Sequence, residues 1–283
     1  KKQQEAELAT YLAEMGSKED LKSLAPEEIE EVDLLFGGND YHKKIYGYLT
    51  AVDLVRNYGC QIARKTYHQA VAGPLASIYA KEAISLARKA SGNNRDNLDI
   101  VEFHTGSGSI TYALAKESGR VHHTVDINRT ILEWARGNLE KVGMDVGSTS
   151  WHNQDALEFI ETINNEGWKL DLAMADPPWE GKFNKSDAFS IMSPHGAKIV
   201  RKLLQFSNVV GLKAPGNIPD QAAFTLGDEL RAKVTSLICY YEDGQKKYSE
   251  KLLFFLNRKA AIEAKIKHHQ ITEREVKVNG VRK

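Results

Sequence analysis

Two consecutive prolines, Pro177 and Pro178, follow an aspartate at the end of the apolar run 170–175. Neither proline has an N–H to donate to a sheet and each fixes its own φ angle, so a strand formed by this run has to end before them. In α/β proteins, rigid loops at the ends of buried strands hold functional residues. The sequence therefore predicts a buried strand that delivers a functional loop, residues 176–179, to the edge of a sheet.

This strand is one of a series. Between residues 98 and 256, strand-like apolar segments alternate with helical segments, which favours an α/β fold with a mostly parallel, Rossmann-like sheet. The expected helices lie near 2–15, after Pro26, at 40–57 and at 74–89, with a turn at 37–39. The seven predicted strands lie at 98–103, 121–125, 149–152, 170–175, 208–212, 234–240 and 252–256, and the last two are expected to pair antiparallel.

We divide the chain into a helical N-terminal extension (1–66), a Rossmann-like domain (67–256) and a basic C-terminal tail (257–283), which we expect to be a fraying helix. With 42% hydrophobic and 27% charged residues, the composition is that of a globular protein. No apolar run reaches the roughly 18 residues of a membrane span, and the charged start is no signal peptide. We therefore expect a soluble intracellular protein, cytoplasmic or nuclear, without a membrane partner. Its two cysteines are too few for a zinc site or a disulfide framework, so we expect no metal.

Positive charge is concentrated in two segments. Residues 41–97 hold 9 Lys and Arg against 3 acids, and residues 257–283 hold 8 against 3, although the net charge of the chain is zero. Such segments favour contact with a phosphate backbone, and solvated helix faces explain them equally well. Nucleic acid is therefore an expected partner, whereas nothing in the sequence indicates the oligomeric state.

A glycine turn follows the first predicted strand. Gly106 and Gly108 lie between that strand and a helix, and Asp126 ends the next strand twenty positions after Gly106. An acid at this spacing suits the hydroxyls of an adenosine ribose, while Asp155 after the third strand suits an adenine amino group or a backbone N–H. The third glycine of the Gly-x-Gly-x-x-Gly motif, which is typical of pyrophosphate binding, does not follow Gly108. Its absence favours S-adenosylmethionine over a dinucleotide as the cofactor. The predicted cofactor-binding residues are Glu102, Thr105, Gly106, Gly108, Asp126, Ile127, Asp155 and Ala156.

The loop 176–179 suits methyl transfer to a conjugated amino group. The lone pair of such a nitrogen is delocalised, so an enzyme has to localise it. Asp176 and the carbonyl of Pro177 can each accept one N–H, Pro178 stiffens the loop, and Trp179 offers a stacking face. We predict these four residues as the catalytic residues.

Two motifs resemble those of class I S-adenosylmethionine-dependent methyltransferases. Val101-Glu-Phe-His-Thr-Gly-Ser-Gly is similar to that family's Glu-x-Gly-x-Gly-x-Gly loop, with His104, which we interpret as a packed or surface histidine, in place of the first glycine. Asp176-Pro-Pro-Trp matches the signature for methylation of amino nitrogens. The resemblance implies the seven-stranded class I fold, S-adenosylmethionine as cofactor and an N-methyltransferase activity.

A closer resemblance is to trimethylguanosine synthase, which methylates guanine N2 of the RNA cap. Residues 177–183 are similar to its Pro-Pro-Trp-Gly-Gly-x-x-Tyr run, and residues 213–221 to a Leu-Pro-x-Asn-x-Asp-x-x-Gln stretch. Asp176 stands where that family usually has serine, and aspartate there is typical of transfer-RNA guanine-N2 and adenine-N6 methyltransferases. The resemblance implies guanine N2 in RNA as substrate. Three alternatives stay open: adenine N6 in RNA or DNA, a protein glutamine, and a catalytically silent RNA-binding or assembly module.

Overall fold

The structure is a computed structural model that describes residues 22–37, 43–92, 97–179, 183–184, 186–243 and 246–276. The predicted helix at 2–15 and the turn residues Gly38 and Asn39 lie outside these ranges. The helices are α1 (Pro26–Gly37), α2 (Ala51–Tyr58), α3 (Arg64–Gln69), α4 (Gly73–Ala90), α5 (Ser109–Ser118), α6 (Arg129–Lys141), α7 (Ala156–Asn165), α8 (Gly196–Leu203), α9 (Asp220–Glu229) and α10 (Arg258–Glu263). The strands are β1 (Lys44–Tyr46), β2 (Leu49–Thr50), β3 (Ile100–Phe103), β4 (His123–Asp126), β5 (Ser150–Asn153), β6 (Leu170–Ala175), β7 (Ser207–Pro215), β8 (Lys233–Asp243), β9 (Lys246–Leu256) and β10 (Gln270–Val276).

Eight strands form one sheet in the order β10-β8-β9-β7-β6-β3-β4-β5. Neighbours from β7 to β5 run parallel, and β9 lies antiparallel between β7 and β8. All seven predicted strands are present, including the antiparallel pair. The α/β, Rossmann-like fold class is therefore confirmed. The parallel order brings the carboxyl ends of β4, β3, β6 and β7 to one edge.

The eighth strand corrects the prediction for the C-terminal tail. Within the described part of the tail, residues 257–276, α10 is the one helix, and β10 pairs in parallel with β8 along its whole length. This mostly exposed segment, in which charged residues follow Ile271 and Thr272, lies at the edge of the sheet, and its pairing with β8 outweighs the helix preference of the charged composition. The fraying helix was therefore wrong over residues 270–276.

The predicted helix at 40–57 is also shorter than expected. In its place, β1 and β2 form a hairpin that turns at Gly47, whose φ is 58°. The helix α2 begins only after Thr50, whose Oγ1 accepts a hydrogen bond from the N–H of Asp53 at 3.1 Å. A threonine cap starts a helix at its own position, so the chain before it is free to pair as strands.

Helices cover both faces of the sheet. Side chains of α4, α5 and α10 bury one face, on which Leu172 and Met174 of β6 lie. Side chains of α7, α8 and α9 bury the other face, on which Ala173 and Ala175 lie. Successive side chains of a central strand point to opposite faces, and both faces are buried. The sequences of these strands are therefore continuous apolar runs. None of the helices in the described ranges has the length and apolar character needed to cross a bilayer.

The N-terminal elements share a core with the α/β unit. Ile45, Leu54 and Ile62 pack in one cluster with Leu139 of α6. Asn138 fixes this contact, because its side chain exchanges two hydrogen bonds of 2.7 Å with the backbone of residue 61. The hairpin is therefore held near the carboxyl edge of the sheet. The domain boundaries at 66 and 256 stay predictions.

Candidate active site

The loop between β3 and α5 has the sharp turn expected of a ligand-binding glycine loop. Gly106 and Gly108 adopt φ angles of 52° and 79°, a region that residues with a Cβ rarely enter. His104 also has a positive φ, 64°. The hydroxyl of Tyr46 in β1 donates a hydrogen bond to the carbonyl of Ser107 at 2.6 Å, so the hairpin holds the loop from the N-terminal side.

Asp126, at the end of β4, is tied to this loop. Its Oδ2 accepts a hydrogen bond from the N–H of Gly106 at 3.0 Å, and its Oδ1 accepts one from Asn128 at 2.8 Å. A carboxylate has about four acceptor positions, so it can accept several donors at once. Ile127, the next residue, is 70% exposed. A fixed carboxylate beside an exposed apolar side chain suits a ribose and its attached base.

Asp155 and Ala156 lie at the start of α7. Oδ1 of Asp155 caps this helix by accepting the N–H groups of Leu157 at 2.8 Å and Glu158 at 3.2 Å. Of the two roles predicted for Asp155, the structure contains the bond to backbone N–H groups. Contact of Asp155 or the buried Ala156 with an adenine ring stays a prediction.

Glu102 and Thr105 lie beneath the loop, with exposures of 2% and 4%. Glu102 accepts hydrogen bonds from the hydroxyls of Thr111 and Thr124, and Oγ1 of Thr105 lies 2.5 Å from that of Thr124. Burial raises the pKa of Glu102 to about 8, and the neighbouring Asp176 carboxylate raises it as well. The two residues support the loop from inside the sheet, and their direct contact with a cofactor stays a prediction.

Several buried polar atoms around the two loops have no hydrogen-bond partner among the described residues. They are both ring nitrogens of His104, Oγ of Ser107 and Nε1 of Trp179. Burial lowers the pKa of His104 to about 4, so at neutral pH its ring has one donor and one acceptor nitrogen. Buried polar atoms without partners are rare in native proteins. Their concentration in the glycine loop and the 176–179 loop fits a polar ligand such as S-adenosylmethionine.

The loop 176–179 lies beside the glycine loop. β3 and β6 pair in parallel to the end of β3, where the N–H of Asp176 donates to the carbonyl of Phe103 at 3.3 Å. The N–H of Ser193 donates to the carbonyl of Pro178 at 2.9 Å. No described residue donates to the carbonyl of Pro177, which therefore stays available as a second acceptor beside the Asp176 carboxylate.

Lys213 of β7, which is not among the predicted site residues, lies next to this loop. Its Nζ lies 3.3 Å from Oδ1 of Asp176, 3.5 Å from Oε2 of Glu250 and 4.3 Å from the centroid of the Trp179 ring. The hydroxyl of Tyr79 in α4 lies 3.5 Å from the same Glu250 oxygen. The Lys213 side chain is only 6% exposed. One buried ammonium group thus contacts two carboxylates and an indole ring.

The charges of this group influence one another. Burial raises the pKa of Asp176 to about 6, Lys213 acts to lower it, and Glu250 acts to raise it. Burial alone would lower the pKa of Lys213, but the two carboxylates raise it above its ordinary value. Lys213 therefore favours the ionised form of Asp176, whereas Glu250 opposes it.

A signal for Lys213 does exist in the sequence. Lysine is rare inside a buried strand, and this one interrupts the apolar segment 209–214. Glu250 has no such signal, because only the antiparallel pairing of Pro215 with Glu250 between β7 and β9 brings it near. Among the described residues, no cluster of three or more His, Cys, Asp or Glu is arranged to hold a metal ion.

Comparisons with known proteins identify methyltransferases. No family model matches the chain. The chain is 29% identical over 109 residues to the ribosomal RNA large subunit methyltransferase K of Neisseria meningitidis serogroup B, a match that covers 38% of this chain and 31% of that protein. It is 35% identical over 85 residues to the release factor glutamine methyltransferase of Bacillus anthracis, covering 30% of this chain and 28% of that protein. The matches thus span about a third or less of these curated relatives.

A solved structure agrees on the fold. The delta-N METTL16 methyltransferase domain superimposes with a TM-score of 0.53 at 15% sequence identity, over 72% of this chain and 91% of that domain. Identity this low establishes the fold alone. The chain has the Rossmann-like fold of class I S-adenosylmethionine-dependent methyltransferases.

Proposed function

We propose that this chain is an S-adenosylmethionine-dependent N-methyltransferase that acts on an exocyclic amino group of a nucleobase, with guanine N2 in RNA as its substrate. The observation that carries the proposal is the position of Asp176-Pro-Pro-Trp179 beside a glycine loop bonded to Asp126. The ribosomal RNA methyltransferase relative supports RNA as the substrate class. The sequence resemblance to trimethylguanosine synthase supports guanine N2.

The cofactor would lie along the glycine loop. Gly106 and Gly108 allow its close approach, Asp126 accepts hydrogen bonds from the ribose hydroxyls, and Ile127 covers the base, while His104 and Ser107 offer polar atoms. When bound, S-adenosylmethionine supplies an electrophilic methyl group.

Asp176 and Pro177 would then act on the amino group of the substrate. By accepting one N–H each, the carboxylate and the carbonyl draw the lone pair out of conjugation and orient it for in-line displacement. Attack of the nitrogen on the methyl carbon would break the sulfur–methyl bond and release S-adenosylhomocysteine, and the ionised Asp176 would accept the proton that the positively charged nitrogen then loses. Trp179 stacks on the base, an interaction worth roughly 1–3 kcal/mol.

The experiment that tests this function uses labelled S-adenosylmethionine with pools of RNA, DNA, cap analogue and protein. We expect label on N2-methylguanosine after digestion of the RNA. Asp176→Ala should lower the rate by about 10² or more with little change in S-adenosylhomocysteine affinity, because its interaction strengthens in the transition state. Trp179→Ala should mainly weaken substrate binding. Label on N6-methyladenosine would instead identify adenine N6 as the methylated atom. Cofactor binding without transfer to any pool would mean that the chain is a catalytically silent binding module.

A protein glutamine is the second candidate substrate. Its carboxamide nitrogen is also conjugated, so the same two acceptors would serve it, and the release factor glutamine methyltransferase relative supports this reading. Label in the protein pool, recovered as methylglutamine, would select it over RNA. In either case, calorimetry should detect binding of S-adenosylhomocysteine and none of NAD.

A further inference from the structure

Asp176, Lys213 and Glu250 form a buried cluster, called here the charged triad, that links the 176–179 loop to β7 and β9. Its ion pairs measure 3.3 Å and 3.5 Å, and its side chains are 18%, 6% and 14% exposed in that order. We propose that Lys213 is a positioning residue for methyl transfer: its ion pair holds the Asp176 carboxylate ionised and oriented to accept the N–H of the substrate, while Glu250 and Trp179 hold Lys213 in place. This inference rests on the proposed function.

The fold itself does not need these charges. Position 213 lies on the same face of the sheet as the apolar residues Leu172 and Leu252, and a buried ion pair can often be replaced by apolar residues without loss of stability. Lys213 instead brings a positive charge next to the one acid that the 176–179 loop presents. The positive charge of Lys213 therefore serves the ionisation of Asp176 and is not needed for packing.

Without Lys213, Asp176 would be a poor acceptor. Two buried carboxylates near each other disfavour double ionisation, and one of them takes up a proton. A protonated Asp176 would present an O–H and would localise the amine lone pair less well. Burial and Glu250 both raise the pKa of Asp176, to about 6, against the opposing effect of Lys213.

No other described group near Asp176 can replace this positive charge. Glu102 on β3 has its pKa raised to about 8 by burial and is largely uncharged at neutral pH. His104, at the end of the same strand, has its pKa lowered to about 4 by burial and is neutral. Tyr79 of α4 is an uncharged contact of Glu250. The ionisation of Asp176 therefore depends on the balance between Lys213 and Glu250.

Substitution of Lys213 and of Glu250 should shift the pH dependence of the rate in opposite directions. This difference distinguishes a positioning role from general support of the fold. In Lys213→Met, the acidic limb of the rate against pH should move up by about 1–3 pH units, so that activity lost at neutral pH returns at alkaline pH. In Glu250→Gln, the limb should move down, because a carboxylate that disfavours ionised Asp176 is gone. A purely structural role would lower activity by the same factor at every pH in both variants.

The chain offers a matched control in Lys251. This lysine is also 6% exposed and pairs with Asp220 at 3.0 Å, on the opposite face of the sheet. Lys251→Met therefore measures how activity changes when a buried lysine is removed from its acidic partner. We expect it to leave the acidic limb where it is in the wild type, and a limb that moves as far as in Lys213→Met would overturn the proposal.

A second readout needs no substrate. Carbon-13 NMR of labelled aspartates, with Asp176→Asn to assign the signal, follows the titration of Asp176 in the free protein. We expect a higher midpoint in Lys213→Met and a lower one in Glu250→Gln, and equal midpoints in all three proteins would overturn the inference. If wild type transfers methyl to no pool, the proposed function fails, while this titration still decides whether Lys213 controls Asp176.

Discussion

At the scale of single residues, the site keeps its carboxyl groups in different protonation states by giving them different neighbours. Glu102 accepts hydrogen bonds from two hydroxyl groups, and burial raises its pKa to about 8. Asp176 has Lys213 beside it, and its pKa is about 6. Asp126 accepts two backbone N–H groups. Separating the pKa values of neighbouring acids in this way lets one carboxyl stay neutral as a support while another stays ionised for chemistry.

Glu102 should make the stability of the free protein depend on pH. Its pKa rises from an ordinary value of 4.5 to about 8 on folding, so the folded state holds a proton that the unfolded state releases in between. This contribution to stability is complete below pH 4.5 and is lost as the pH rises through 8. Relative to wild type, Glu102→Gln should gain stability across this window, at up to about 1.4 kcal/mol per pH unit. Urea unfolding at several pH values measures the difference.

Glu140 provides the control for this measurement. It is an exposed glutamate in α6. Glu140→Gln removes an exposed carboxyl group and should change the free energy of unfolding only a little. A difference between Glu102→Gln and wild type that stays constant with pH would mean that Glu102 ionises equally in the folded and unfolded states, contrary to our expectation.

The candidate site was predictable from the sequence where its residues are close in the chain or at a familiar spacing. The glycine loop, Asp126 and the 176–179 loop depend on strand ends, which apolar runs and prolines reveal. Lys213 and Glu250 depend on which strands become neighbours and in which register. Local pattern does not determine those pairings, so the charged triad became visible only in the assembled sheet.

At the scale of elements, the β1–β2 hairpin supports the glycine loop through a close backbone contact. A Cβ on Gly73, at the start of α4, would lie 2.3 Å from the carbonyl oxygen of Gly47. The same hairpin provides the hydrogen bond from Tyr46 to Ser107. Helix α4 therefore sets the position of the hairpin, and the hairpin sets the position of the loop.

Gly73→Ala should push the hairpin away from α4. We expect a loss of about 1–3 kcal/mol in the free energy of unfolding from the overpacked contact. Loss of the Tyr46 bond should also weaken S-adenosylhomocysteine binding by roughly 2–10-fold. Urea unfolding and calorimetry measure the two effects.

Gly137 in α6 is the matched control, because a Cβ there would meet no atom within 4 Å. Gly137→Ala should stabilise the helix by up to about 1 kcal/mol and leave ligand affinity unchanged. If Gly73→Ala bound the ligand as tightly as Gly137→Ala does, the hairpin would have no part in shaping the loop.

The errors in predicted elements have two physical origins. β10 is a charged segment whose composition favours a helix, and its pairing with the distant strand β8 outweighs that local preference. β1 and β2 lie where a helix up to residue 57 was predicted, and they form a local hairpin because the Thr50 cap starts α2 only after it. The central strands were predicted correctly because they are buried on both faces, and that burial is visible in their apolar composition.

At the scale of the whole molecule, the two basic segments that are far apart in the sequence adjoin in the fold. Ala260 and Ala261 of α10 pack in one cluster with Ala83 and Ala87 of α4. Arg274 of β10 forms an ion pair of 3.3 Å with Glu82. The helix α4 of the first basic segment thus contacts α10 and β10 of the second.

RNA binding should therefore depend strongly on salt. Each phosphate contact of a single strand contributes about 0.7 to the slope of log affinity against log salt. The double variant Lys89→Glu, Lys259→Glu changes two exposed lysines of α4 and α10 and should lower both the affinity and the slope. Filter binding of RNA between 50 and 200 mM salt, a range of about fourfold, measures both quantities.

Lys198→Glu is the control, because this exposed lysine lies on α8, on the opposite face of the sheet. It should leave the slope close to that of wild type. Equal slopes for both variants would mean that the adjoining basic segments are solvated surface and that the substrate is bound by other contacts.

The strand order also has a kinetic consequence. β3 lies between β4 and β6, and its pairing of Ile100 with Leu172 joins positions distant in the chain. Parallel pairings between distant segments pay a large loop-closure entropy and form slowly. Asp126 can meet Gly106 once β3 and β4 have paired, whereas the charged triad waits for β6, β7 and finally β9. We therefore expect the cofactor side of the site to form earlier in folding than the side that contains the charged triad, which is complete only when β9 has paired with β7.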